Sequence, residues 1–553
     1  MNGFCRSATC VTLVAVSFVG AVCHAATPPD FWKASGDHGA VVAGGAEAAD
    51  AAIEILQDGG NAVDAAVAAL IVLSVTDSQW FCFGGEVPII VYDAKRDAVE
   101  IVAGQGVAPR LATVEFYEKN KGGRIPGNDD PTTAAVPGTI DAYLTVLDRY
   151  GTKTFAETAQ PALAILDGHT DGWQPDLART IRRMIDAEKK SPDDRRRGLR
   201  LVGDCFYRGP IARELDTWSR ANGGLLRYTD LATHVTRVEE PVSIDYRGHR
   251  IVKCGAWTQG PYLLQTLRLL EGFDVKATGH NSSEYIHLLA EAMKLALADR
   301  DAFYADPLFV DVPLDKLLSD EYTQLRRPLI DLERASLEQR PGDPRAGKAL
   351  LGTKPQDYRP PGEIRDTTTC LVADRWGNVV AATPSGWGGT LAGRTGITLG
   401  SRLRSFNTWR GHVNCIEPGK RPRITLTPTI VLKDGKPVAA ISVAGGDLQD
   451  QVTLQVLLGH IEFGMTPAEA VTAPRFGTDH LVGSFNQPAP KLGSLSVYES
   501  IGADAIEALK SRGHKVRIAR PPLAHPVMLT LDPSTGRKQA AGDPKARRHA
   551  RAY

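Results

Sequence analysis

Between about residue 335 and residue 366 the 553-residue chain changes character. Pro341, Pro344, Pro355, Pro360 and Pro361 fall there among several Gly and Lys, and no apolar periodicity survives. A run of that length without structure inside a compact body is a linker or a functional loop. The chain beyond it is β-rich. Residues 367–373 and 379–383 read as strands around the turn Asp374-Arg375-Trp376-Gly377-Asn378, and 427–432 and 438–443 as a hairpin around Asp434-Gly435. The fold must therefore join a helix-rich first part to a last part of antiparallel β with helices, across a flexible lead-in.

In the first part, residues 46–58 form a helix bounded by Gly44-Gly45 and Gly59-Gly60. Residues 62–75 carry Ala and Val on nearly every face, which marks a buried helix, interrupted only by Asp64. Residues 88–93 and 98–103 read as a strand pair around Lys95-Arg96-Asp97, and helices dominate 138–187 and 283–302. Arg195-Arg196-Arg197 reads as a solvated loop rather than an anion-binding patch.

Charge and cysteines exclude several classes. With 64 Lys+Arg against 64 Asp+Glu there is no cationic surplus for a nucleic acid. Residues 1–25 read as a signal peptide: Arg6, an apolar run over 11–22, and small residues at Ala25-Ala26. That run is too short to span a bilayer comfortably, and no later run reaches 18 apolar residues, so a secreted or periplasmic protein without a stable membrane span is expected. Cys82, Cys205, Cys254, Cys370 and Cys415 lie beyond the signal, an odd number that leaves at least one thiol unpaired. They form no C-x-x-C pair and no H-E-x-x-H occurs, so neither a metal nor an organic cofactor is expected.

Two motifs carry chemistry. The first is Arg365-Asp366-Thr367-Thr368-Thr369 at the end of the lead-in. A threonine hydroxyl needs a base beside it, and one solution is to make it the first residue of a chain, so that its own α-amine takes the proton. That requires the bond before Thr367 to break in an exposed segment. Good strand composition accounts for the same three threonines. The second is Gly445-Gly446, between the apolar strand 439–444 and a helix starting near Asp447. Two glycines there let backbone N–H groups approach a developing oxyanion; a plain tight turn is the alternative. No G-x-S-x-G, complete dinucleotide fingerprint or Walker lysine is present.

The sequence resembles the γ-glutamyltransferases (glutathione hydrolases) and their acylase relatives, which are self-cleaving N-terminal nucleophile hydrolases. Gly59-Gly60-Asn61-Ala62-Val63-Asp64-Ala65-Ala66-Val67-Ala68 is similar to a helix motif of the family. Val136-Pro137-Gly138-Thr139, Ala298-Asp299-Arg300, Pro418-Gly419-Lys420-Arg421-Pro422 and Ala473-Pro474-Arg475 come in the family's order. The resemblance implies an α+β fold, a four-layer αββα sandwich. It also implies cleavage between Asp366 and Thr367 into a large fragment, 26–366, and a small one, 367–553, which stay associated. Thr367 is then the nucleophile, Gly445 and Gly446 the oxyanion donors, Ser385 a hydroxyl beside the nucleophile and Thr425 a hydroxyl near the substrate.

The substrate side departs from the transferase pattern. Gln105 stands where transferases place an arginine for the substrate's α-carboxylate. Arg404-Ser405 occupies the position of an acidic pair for the α-amine, Trp387 replaces an asparagine and Ile424 a serine. A γ-glutamyl head is a zwitterion, so both recognition charges are changed. The expected partner is a small-molecule amide or peptide, γ-glutamyl or a related acyl amide, resolved by water or an amine acceptor. An acylase without transpeptidation and an inactive exported binding protein are the alternatives.

Overall fold

The computed structural model describes residues 31–169, 173–352, 356–360, 367–386 and 388–553. The signal segment, Asp366 and Trp387 lie outside the described residues.

Two seven-stranded sheets form the centre. One runs, in spatial order, Lys33–Gly36, Lys538–Gly542, His525–Leu531, Lys436–Ala444, Thr429–Lys433, His249–Lys253, Val242–Tyr246. The other runs His549–Ala552, Ala40–Ala43, Cys370–Ala373, Val379–Ala382, Val87–Asp93, Ala98–Gly104, Arg237–Glu239. All neighbours in both are antiparallel. The strands alternate with period two, yet both faces are buried. Leu371 and Ala373 join Val42, Ile90, Ala440 and Leu529 between the sheets, while Cys370 and Val372 face outward to the helices Ala46–Gln57 and Ala62–Thr76. On the far side Ile441 and Val443 pack under Pro261–Leu270, Ser283–Phe303 and Gln449–Ile461. Helix, sheet, sheet, helix: the αββα sandwich is present. Strands from before and after residue 367 interleave in both sheets, so a break at that bond leaves one hydrogen-bonded body.

The anticipated elements form where the physical signals are strong. The helix Ala62–Thr76 is buried along all but its last residue, and Asp64 is explained by its partners. Asn61 and Asp64 cap each other in a capping box, and the Asp64 carboxylate also accepts from Thr152 N at 2.9 Å and Lys153 N at 3.0 Å. The turn at 374–378 closes on Asp374, which accepts from Trp376 N, Asn378 N and Ala62 N, the last at a helix N-terminus.

One expectation changes. Arg195–Gly203 is a helix capped by Asp194, not a loop. Arg195 donates to the carbonyls of Leu147, Gly151 and Lys153, around the end of the helix Thr139–Tyr150 that lacks intrahelical donors. The described part of the lead-in carries neither helix nor strand, but its start is tied down. Ala335 N donates to Arg512 O, Ser336 N to Glu291, and His480 Nε2 bonds Glu338 O at 3.0 Å.

Candidate active site

Thr367 enters the central strand Cys370–Ala373 from one end, between Ala40–Ala43 and Val379–Ala382. The ladder continues past the strand: Gly44 N donates to Thr369 O at 3.0 Å and Thr368 N to Pro384 O at 3.1 Å. A Cβ on Gly44 would lie 1.8 Å from Thr368 Oγ1, so only glycine allows this approach. Thr367 is 3% exposed.

Two groups from distant segments contact it. Arg548, beyond the last strand of the first sheet, donates to Thr367 O at 3.4 Å and Gly44 O at 3.3 Å, and contacts His525 Nδ1 at 3.1 Å. Its Nη1 lies 4.0 Å from Asp77, whose carboxyl is pushed up by burial, against the pull of Arg548 and of the Thr368 hydroxyl. Burial, then the charge of Arg548, presses His525 down to about 3, so a neutral ring accepts from the guanidinium. The second group is Gln449, the first residue of the helix Gln449–Ile461. With the amide assigned the orientation that satisfies both of its ends, the nitrogen donates to Thr425 O at 2.8 Å and Val443 O at 3.1 Å. The other end of that amide, its oxygen, then faces Thr367 Oγ1 across 3.4 Å.

Gly445 has φ 154 and Gly446 φ 56, and they turn the chain from the strand Lys436–Ala444 into that helix. Asp447 pins the turn, accepting from Arg300 Nη1 at 2.7 Å, Ser484 N at 2.9 Å and Ser484 Oγ at 2.5 Å. Ser385 Oγ and Thr425 Oγ1 are buried, and among the described residues neither has a hydrogen-bond partner. Orphaned buried hydroxyls are costly, and such groups point to a ligand's place.

Of the residues assigned to substrate, Gln105 is buried at the end of the strand Ala98–Gly104; its Nε2 donates to Gly106 O at 2.9 Å and its Oε1 has no partner among the described residues. Arg404 is buried and aimed by Asn128 and by Asn486 Oδ1, the latter at 3.2 Å. Ser405 Oγ accepts instead from Arg402 Nη1 at 3.4 Å, and Arg402 pairs with Glu86 in a buried ion pair. Glu86 exchanges two backbone hydrogen bonds with Ser385, which ties that turn to the site. A surface depression of about 720 Å³, lined by Asn61, Lys95, Tyr150 and Trp376, lies at the opposite end of the 370–382 hairpin and shares none of these residues.

Behind the glycine turn, Lys253 donates to Asp450 at 2.7 Å, Thr427 O and Thr429 Oγ1, with both charges fully buried. Burial drives Asp450 up to about 6 and Lys253 down, so desolvation outweighs their attraction. Lys253→Met is therefore expected to cost about 3–5 kcal/mol by stranding the carboxylate, and Lys253→Met with Asp450→Leu to recover most of it. Urea denaturation of the single and double variants checks this. A second cluster, His287, Glu291 and His514, has its atoms within 4.8 Å, but its carboxylate is occupied by Lys294, Ser336 N and Arg340.

With this geometry in place, a family model described as gamma-glutamyltranspeptidase matches residues 48–193 and 173–553, nearly all of the described chain. The chain belongs to that family. Among curated relatives, the acylase ACY 1 proenzyme of Pseudomonas sp. (strain SE83) is 32% identical over 524 residues, covering 87% of this chain and 88% of its own. The glutathione hydrolase proenzyme of Bacillus subtilis (strain 168) is 29% identical over 528 residues, covering 90% and 88%. A solved structure, cephalosporin acylase from Bacillus halodurans, superposes with a TM-score of 0.80 at 25% identity, covering 98% of this chain and 99% of that one. The chain is an enzyme, a hydrolase or acyltransferase of the N-terminal nucleophile type. No helix among the described residues is long and apolar enough to cross a membrane.

Gln449 and Arg548 were not legible as site residues. Gln449 sits just past Gly445-Gly446, where a helix N-terminus was anticipated, and that was its only signal. Arg548 has none in sequence, because its contact with Thr367 spans 181 residues.

Proposed function

We propose that this enzyme is exported, is cut between Asp366 and Thr367 by its own residues, and then hydrolyses an acyl amide other than a γ-glutamyl one. The observation that carries the reading is the site around Thr367. A buried threonine leads into the central strand, a glycine turn ends a neighbouring strand of the facing sheet, and unpartnered hydroxyls, Ser385 and Thr425 among them, lie in the same region.

In this mechanism the Thr367 hydroxyl attacks the amide carbonyl and its proton passes to the Thr367 α-amine. The N–H groups of Gly445 and Gly446 take the oxyanion. The α-amine then hands the proton to the departing amine, leaving an ester on Thr367, and water releases the acid. Gln105 and the aimed guanidinium of Arg404, with Thr425, form the acyl side. An amide and a cation suit a carboxylate or carbonyl on the acyl chain better than a γ-glutamyl zwitterion.

A panel of γ-glutamyl and simple dicarboxylic or aliphatic acyl anilides tests this, with the fragments read on a denaturing gel. Faster release from an acyl anilide than from the γ-glutamyl one is expected. Glutamate released from glutathione at the higher rate would instead favour a γ-glutamyl hydrolase, the activity named for the Bacillus subtilis relative. An uncut, inert chain would point to a binding protein.

The base sets the pH dependence. An α-amine has an ordinary pKa of about 7.7–8.0, and only its neutral form accepts the proton. Turnover should therefore fall as pH drops below that range. The Arg548 cation beside the Thr367 carbonyl opposes a second positive charge there, with neutral His525 and the Asp77 carboxyl on its other sides. Removing that charge in Arg548→Met should move the acid limb of kcat to higher pH, while Arg548→Lys should leave it nearer the parent's.

A further inference from the structure

We propose that Gln449 is a positioning residue that fixes the nucleophile's hydroxyl, an inference that rests on the assignment of Thr367. The geometry gives this one side chain three jobs. Its amide N–H groups are spent on two backbone carbonyls, Thr425 O and Val443 O. That orientation leaves the amide oxygen toward Thr367 Oγ1, 3.4 Å away, so in the uncut chain, before there is an α-amine to take the proton, the threonine hydroxyl donates to it. Both anchors belong to the site itself. Val443 lies two residues before Gly445, and Thr425 carries one of the unpartnered hydroxyls.

The arrangement is stiff. Gln449 is 1% exposed, its backbone carbonyl accepts from Thr453 Oγ1 at 2.9 Å, and the next residue, Asp450, is locked to Lys253. The amide cannot flip without setting its oxygen against two carbonyls. Gln449 therefore selects the Thr367 rotamer and keeps the hydroxyl in register with the glycine turn, without taking or giving a proton. Misplacing a nucleophile by about 1 Å costs on the order of 100-fold in rate.

Methionine has nearly the volume of glutamine and no amide, so Gln449→Met removes the orientation with little change in packing. The expected result is a fall of about 10- to 100-fold in kcat, with KM close to the parent's, a melting temperature lowered by the two carbonyls left without a donor, and slower appearance of the two fragments. Gln449→Glu supplies a second reading. A carboxyl set between two carbonyl oxygens has its pKa raised, and only its protonated form can donate to one of them while accepting from Thr367. The surrounding charges are paired off, Asp450 with Lys253, Asp447 with Arg300 and Asp77 opposite Arg548. The ratio of variant to parent kcat should therefore rise as pH falls, with the fold checked by circular dichroism at each pH.

A Gln449→Met enzyme with kcat within about twofold of the parent's overturns the inference. So does a Gln449→Glu ratio that is flat with pH in a folded protein. The parent assayed alongside separates the two levels: if it is neither cut nor active, the assignment of Thr367 fails; if it is both and Gln449→Met matches it, only the role of Gln449 fails.

Discussion

Thr367→Ala is expected to remain a single uncut chain and to lose amide hydrolysis by on the order of 10⁴-fold or more, as removal of a nucleophile does elsewhere. Its fold should survive. The substitution deletes a hydroxyl and a methyl at the entrance of a strand, for about 1 kcal/mol, and both seven-stranded sheets are completed by pairs from either side of the junction. Melting temperature and size-exclusion volume should therefore match those of the parent, while the denaturing gel shows one band in place of two. Thr367→Ser keeps a hydroxyl and should keep part of both reactions. The reading would be sunk by full activity in Thr367→Ala. Two fragments from folded Thr367→Ala would show that another protease makes the cut, leaving only the turnover half of the mechanism standing.

Where sequence reading succeeded, the deciding physics was local. The Asn61 and Asp64 capping box, the turn closed by Asp374 and the hairpin around Asp434-Gly435 each depend on residues within a few positions. The proposed roles of Thr367 and Gly445-Gly446 came from residue type, because nucleophile and oxyanion chemistry demand particular residues. The support around them is non-local. Gln449 reaches Thr367 across 82 residues, Arg548 across 181, and Gly44 meets Thr368 only because two strands far apart in sequence lie side by side. Nothing in composition or periodicity encodes such meetings. The arginine run at 195–197 failed in the same way: three consecutive cations read as solvated, whereas Arg195 has neighbouring carbonyls to satisfy. In the lead-in, prolines announce the missing helix and strand but not the anchors at Glu291, His480 and Arg512.

Gly445→Ala should be the most damaging change that leaves every proposed reacting side chain in place. At φ 154 and ψ 22 the backbone lies where L residues rarely go, a strain of about 1–3 kcal/mol. The new Cβ would also sit 2.6 Å from Ala524 Cβ, an atom with no flexible end to withdraw. The turn must rotate to relieve both, and rotation redirects the N–H groups assigned to the oxyanion. Losing one such donor costs about 10²–10³ in kcat, so a fall of that size with a smaller change in KM is expected, together with a lower melting temperature. The steric and electrostatic parts can be separated. Ala524 itself has φ 60, so Ala524→Gly is compatible with its backbone and removes the 2.6 Å contact, leaving the residue's Cα 3.2 Å from the added methyl. In the double variant the melting temperature should recover further than kcat, because the backbone at 445 still has to leave its native φ. If kcat instead returned to the parent value along with stability, the loss in Gly445→Ala would be crowding alone, and the oxyanion donors would have to be sought elsewhere in the site.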